Sequence, residues 1–132
     1  MTWNWELYLD ETEKIPKDLL GFFVRLISNK EKYPDLPKPK LTAAETKRLQ
    51  VNLKYLCDKG LASLLRDNFD KLEDDLYEFK LTKSKHNPRF ILTTVSPQKF
   101  VILHAFKKKY NGAIRDQDKQ IARQRLENLR NR

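Results

Sequence analysis

The sequence predicts an α+β fold: a small antiparallel sheet with helices, in the order strand, helix, helix, three-stranded meander, C-terminal helix. Three observations lead there. Leu76–Leu81, Arg89–Val95 and Phe100–Phe106 are short runs rich in β-branched and aromatic residues. They are separated by the turn formers of Thr82–Pro88 and Ser96-Pro97-Gln98, which is the pattern of an antiparallel meander. Ahead of the meander, apolar residues recur at helical spacing, and beyond it Ile114 to Leu129 does the same. The 132 residues suffice for one domain, 1–132, with one core.

The elements follow in order. Trp3 to Leu9 alternates, with Trp3, Trp5 and Leu7 on one side and Asn4, Glu6 and Tyr8 on the other, as in a half-buried strand. Pro16 fits the first turn of a helix, where its missing N–H costs nothing. Leu19, Leu20, Phe22, Phe23, Leu26 and Ile27 continue that helix. Gly21 weakens it by about 1 kcal/mol relative to alanine. Pro34, Pro37 and Pro39 make Ser28–Lys40 a loop. Thr42-Ala-Ala-Glu45 is a capping box opening a second helix, with Leu49, Leu53, Tyr55 and Leu56 as its stripe and Gly60 ending it. Leu61–Arg66 extends it by a turn, and Asn68–Asp75 is an acidic, irregular approach to the meander. The first strand joins the meander, and helices cover one face of the sheet. In the C-terminal helix Ile121, Ala122, Leu126 and Leu129 face the core, with Arg115, Lys119, Arg123, Arg125 and Arg130 largely elsewhere.

The net charge of +9 is unevenly distributed. Residues 1–79 hold 13 Lys/Arg against 15 Asp/Glu, a net of −2, while residues 80–132 hold 14 against 3, a net of +11. Such one-sided basicity is the footprint of a polyanionic partner. The single cysteine, Cys57, excludes an internal disulfide and fits a reducing compartment. Two histidines, His86 and His104, with no Cys/His cluster give no zinc signature, so no metal is expected. No apolar run reaches the roughly 18–20 residues of a membrane span, and the N-terminus lacks a secretion signal, so the expected location is cytoplasmic.

One group stands out for chemistry. By period-two alternation His104 shares a strand face with Phe100, Ile102 and Phe106, and Lys107, Lys108 and Lys109 follow. An imidazole with an ordinary pKa of about 6.5 exchanges protons near neutrality. Arg89 opens the neighbouring strand, and cations so placed stabilise charge developing on a phosphodiester. Lys80, Lys109, Tyr110 and Arg115 extend the surface, with aromatic rings among cations suited to stacking on unpaired bases. Asp74-Asp75 reads as a turn, not an acid–base pair.

Leu76-Tyr-Glu-Phe-Lys80, Arg89-Phe-Ile, and Ile102-Leu-His-Ala-Phe-Lys-Lys108 followed by a basic helix resemble the phage-associated HigB-like branch of the RelE/ParE toxin superfamily. Trp5-Glu-Leu-Tyr-Leu, Pro16 and the helix after it match its opening. Lys80 stands where arginine is common, Leu92 where tyrosine is usual, and Ala105 where glycine is usual; the Ser28–Lys40 loop is long. The resemblance implies a compact RelE-like fold and the toxin role of a type II toxin–antitoxin system. It implies mRNA cleavage, commonly on the ribosome, through the RNA's own 2′-hydroxyl, with no metal or cofactor. Neutralisation would come from a small antitoxin, expected to be a helix-turn-helix protein. By matching position Arg89 would hold phosphate, His104, Lys107 and Lys108 would line the cleavage site, and Lys80 would sit at its margin. The residues alone leave two other functions open: a noncatalytic nucleic-acid-binding module on the same fold, and a phage-encoded module that binds a host protein.

Overall fold

The structure, a computed structural model, describes residues 3–27, 31–65, 68–81, 84 and 86–132. The expected turn at Thr82–Pro88, the loop start at Ser28 and the turn end at Arg66 lie partly outside them. The fold is α+β. Strands β1 (Asn4–Leu7), β2 (Phe69–Glu73), β3 (Leu76–Lys80), β4 (Pro88–Val95) and β5 (Lys99–Lys107) form one sheet in the order β1-β5-β4-β3-β2. Helices are α1 (Lys17–Leu20), α2 (Ala43–Lys59) and α3 (Asp116–Arg130), with 3-10 turns at Val24–Leu26 and Gly60–Leu65. The meander has four strands rather than three. β1 does join it, running parallel to β5 with Trp5 opposite Phe100, which makes the sheet mixed.

β2 replaces the irregular segment expected at Asn68–Asp75. Its residues, Phe-Asp-Lys-Leu-Glu, lack an apolar alternation because β2 is an edge strand and exposes its charges. Asp74-Asp75 is the turn into β3, with Asp75 at φ 65°.

The first helix is the other departure. α1 lasts four residues, and a turn and a 3-10 segment follow it. The apolar spacing is still used, since Leu19, Leu20, Phe22 and Phe23 are all buried. The helix breaks at Gly21, whose carbonyl accepts from the Lys40 N–H at 2.9 Å. A Cβ there would sit 2.9 Å from the end of the Lys40 side chain, which would have to move aside to admit it. At the far end of α2, Gly60 has φ 59°, and a Cβ would lie 2.6 Å from the Trp3 indole nitrogen.

Helices cover both faces of the sheet, not one. On the first face Phe79 and Phe90 stack at 4.6 Å, and Phe22 and Phe23 meet Phe90 edge-on. The α2 residues Leu49, Leu53 and Leu56 complete that core. On the second face lies α3, burying Ala122 and Leu126. This explains Tyr8. It falls on the side of Asn4 and Glu6, as the alternation predicts, yet it is 3% exposed because α3 covers it, and its hydroxyl accepts from Asn128 at 2.6 Å. No helix among the described residues is long and apolar enough to cross a membrane.

Candidate nucleic-acid interface

The site is set by an irregularity in β5. Leu92 pairs with Ile102 but Ile91 pairs with His104, so one extra residue, Leu103, is accommodated between them. The resulting bulge reverses the alternation. His104 and Phe106 therefore leave the face of Phe100 and Ile102, where simple period two puts them. They join the face of Ile91 and Arg89. In register across three strands, His104, Ile91 and Glu78 form one row on the second face, and Phe106, Arg89 and Lys80 form the next. The bulge thus brings His104, Arg89 and Lys80 onto a common surface.

Sharing a face does not free the imidazole. His104 is 4% exposed. Its Nε2 lies 2.8 Å from Asp118 Oδ1 at the start of α3, and its Nδ1 lies 3.4 Å from Asp18 Oδ2 of α1. The second approach lacks hydrogen-bond alignment, so Nδ1 and Oδ2 are buried without a hydrogen-bond partner. The charged groups touching His104 are two carboxylates, which corrects the expectation of a lysine-dominated environment. Arg125 completes the cluster: its guanidinium donates to Leu103 O at 2.9 Å, in the bulge, and to Asp18 Oδ1 at 2.8 Å. Burial raises the Asp18 pKa, but the close approach of the His104 ring and the hydrogen bond and charge of Arg125 outweigh it and hold the carboxyl far below its usual range.

The remaining candidates divide between two directions. Lys107 and Lys109 line a cavity of about 430 Å³ with Lys40, Asp18 and His104, along the part of β5 that extends past β1. Lys108 turns the other way. Its ammonium donates to the Gly112 carbonyl and lies 5.6 Å from the Tyr110 ring centre. Arg115 stacks over the same ring at 4.2 Å, and the Tyr110 hydroxyl accepts from the Arg115 N–H at 3.1 Å. Arg89 approaches Glu78 Oε1 at 3.4 Å, and Lys80 pairs with Asp70 at 2.6 Å. Arg89, Lys80 and Lys108 thus gather near Glu78, whose carboxyl all three influence, while Lys107 and Lys109 face the other cavity. The larger cavity, about 500 Å³ between Trp3, Trp5, Leu53 and Cys57, has Lys54 as its only lining cation among the described residues.

Sequence reasoning missed Asp18 and Asp118, set Arg125 largely away from the core, and used Glu78 only as part of the Leu76–Lys80 motif. Asp118 and Arg125 sit on the inner side of α3, where a charge interrupts the apolar stripe; that interruption was the available signal. Asp18 carried none, because its partners lie over 80 residues away in sequence.

Charge pairing reorders the basic half. Lys80, Arg89, Lys99, Arg123, Arg125 and Arg130 pair with Asp70, Glu78, Glu6, Glu73, Asp18 and Asp75, all from the acidic half. Lys107, Lys108, Lys109 and Arg115 have no carboxylate within 4.0 Å among the described residues. Among the described residues no group of three or more His, Cys, Asp or Glu is placed to hold a metal.

Residues 35–127 match the family described as "Phage derived protein Gp49-like (DUF891)". No curated protein matches the chain.

Proposed function

The chain belongs to the phage-derived, toxin-like Gp49-like family, and from that premise we propose that it is the toxin of a type II toxin–antitoxin system, a cytoplasmic mRNA endoribonuclease acting at the ribosome. The HigB-like likeness of the His104-Ala-Phe-Lys-Lys108 block supports the same reading. The observation that carries it is the run of cations without carboxylate partners at Lys107, Lys108, Lys109 and Arg115, of which Lys108 gathers with Arg89 and Lys80 near Glu78 while Lys107 and Lys109 face the neighbouring cavity. In the reaction the 2′-oxygen of the RNA loses its proton and attacks the adjacent phosphorus. The bond to the 5′-oxygen breaks, that oxygen takes up a proton, and a 2′,3′-cyclic phosphate remains. Arg89 and Lys108 bind the phosphate and stabilise its growing negative charge, and Lys80 supports them from the margin. Lys109, Arg115 and Tyr110 hold the flanking strand by charge and stacking. His104 positions the sheet edge against α3 through Asp118, because its burial keeps it from the scissile bond.

That burial favours one second reading, a binding module on the same fold that holds RNA without cutting it. One experiment separates the two. The purified chain is incubated with end-labelled mRNA in EDTA, with and without ribosomes. The toxin reading expects fragments ending in cyclic phosphate, with Arg89→Ala slowing their appearance about a hundredfold or more. Bound but intact RNA under both conditions sinks the enzyme and leaves the binding module. Co-purification of a helix-turn-helix antitoxin and growth arrest on induction are the cellular counterparts.

A further inference from the structure

Glu78 is a buried acid in the middle of the cationic surface, and nothing in the proposed cleavage uses it. It is 2% exposed. Oε1 contacts Arg89 at 3.4 Å, long for a charge-assisted hydrogen bond, and Oε2 is buried with no hydrogen-bond partner. The charged groups acting on it come from every neighbouring strand: Arg89 on β4, Lys80 on its own strand, Asp70 on β2 and Lys108 beyond β5. His104 stands in the same row, across Ile91.

We propose that Glu78 is a proton-coupled latch on Arg89, occupying the guanidinium in the free protein and taking up one proton when an RNA phosphate replaces it there. The inference rests on the RNA-binding reading and deepens it. A phosphate oxygen makes shorter, better aligned bonds to a guanidinium than the stretched contact with Glu78 does. Once Arg89 turns to the phosphate, Glu78 is a buried carboxylate that has lost its cation and gained an anion nearby. Protonation relieves both costs. Burial already raises the Glu78 pKa, against the opposing pull of Arg89, Lys80 and Lys108. The free protein therefore keeps Arg89 neutralised, and phosphate recognition strengthens as pH falls. Glu78 acts through Arg89 and does not touch the RNA; it is a positioning residue.

The test measures binding of a 2′-O-methyl RNA dodecamer, which cannot be cleaved, to the full chain from pH 8 to pH 5.5. Wild type is expected to tighten by up to about tenfold per pH unit where the proton is taken up. Glu78→Gln is expected to bind several-fold more tightly than wild type at pH 8 and to lose most of that slope. A wild-type slope retained in Glu78→Gln overturns the latch while leaving RNA binding intact. Inorganic polyphosphate is the second probe. Proton-linked binding of polyphosphate without binding of RNA keeps the latch and removes the RNA reading; no binding of either removes both. If Glu78→Gln does not fold, the carboxyl carbon of Glu78 is titrated by NMR in wild type. Its midpoint must rise on adding polyphosphate, and an unmoved midpoint overturns the proposal.

Discussion

A buried imidazole needs partners for its ring nitrogens, and His104 has a hydrogen bond at only one of them, Nε2 to Asp118 at 2.8 Å. Removing that carboxylate strands a polar atom in a site water does not reach, which costs about 1–3 kcal/mol. Asp118→Ala is therefore expected to lower the urea-unfolding free energy at pH 7 by about that much, and Asp118→Asn, which keeps an acceptor, by less. Equal midpoints for wild type and Asp118→Ala would contradict the arrangement. Asp18, on the other side of the ring, adds a pH dependence of known sign. Its folded pKa is lowered from 3.8, so its contribution to stability is complete above that value and is lost as pH falls below it. Asp18→Asn should make the acid limb of the stability curve shallower. The residue types at this cluster were visible in the sequence, but their partnership was not, because α1, β5 and α3 bring it together from three distant stretches.

At the scale of the element, the start of α2 shows what was legible. Thr42 and Glu45 form the capping box that their spacing announces: the Glu45 N–H donates to Thr42 Oγ1 at 3.1 Å, and the Thr42 N–H donates to Glu45 Oε1 at 2.9 Å. A second duty of Glu45 was hidden. Its carboxylate also accepts from the Ser84 hydroxyl and lies 3.4 Å from His86 Nδ1, tying the β3–β4 connection to the helix. Burial raises the Glu45 pKa, but Ser84, the Thr42 N–H and His86 together bring it from 4.5 down to about 2. Its stabilising effect is thus present above pH 4.5 and is lost as pH drops towards about 2. Glu45→Gln should flatten the denaturation midpoint across that window, and Glu45→Ala should cost about 1–3 kcal/mol at pH 7. A Glu45→Gln curve that keeps the wild-type slope would remove Glu45 as the titrating group. The elements that escaped the sequence did so for local reasons. β2 hides because an exposed edge needs no apolar face. α1 stops early because Lys40 crosses Gly21, a contact between residues 19 apart. The β5 bulge has no glycine or proline to mark it, and Leu103 looks like any strand residue. That one unmarked insertion decides which face carries the imidazole.

For the whole molecule, the division into an acidic and a basic half is correct as a count and misleading as a map. Six cations of the second half fold back onto carboxylates of the first, so much of the apparent basic surface serves to hold α3 and the strands in place. Among the described residues of that half, Lys107, Lys108, Lys109, Arg115, Lys119 and Arg132 have no carboxylate within 4.0 Å, and the first four lie at and just beyond the end of β5, near Arg89 with its single long contact. The two classes of cation should separate cleanly in one pair of experiments. Lys107→Ala, Lys108→Ala and Lys109→Ala together remove charge that has no internal carboxylate partner. They should leave the melting temperature near that of wild type while weakening single-stranded RNA binding. The log–log salt slope should become shallower by about 0.7 for each phosphate that the variant no longer neutralises. Arg123→Ala with Arg130→Ala breaks the links to Glu73 and Asp75 instead. That variant should melt lower, by an amount that shrinks as salt screens the pairs in wild type, and should keep the wild-type RNA slope. The reverse pattern, with the RNA slope falling in the arginine variant and not in the lysine variant, would move the interface from the end of β5 onto the outer face of α3.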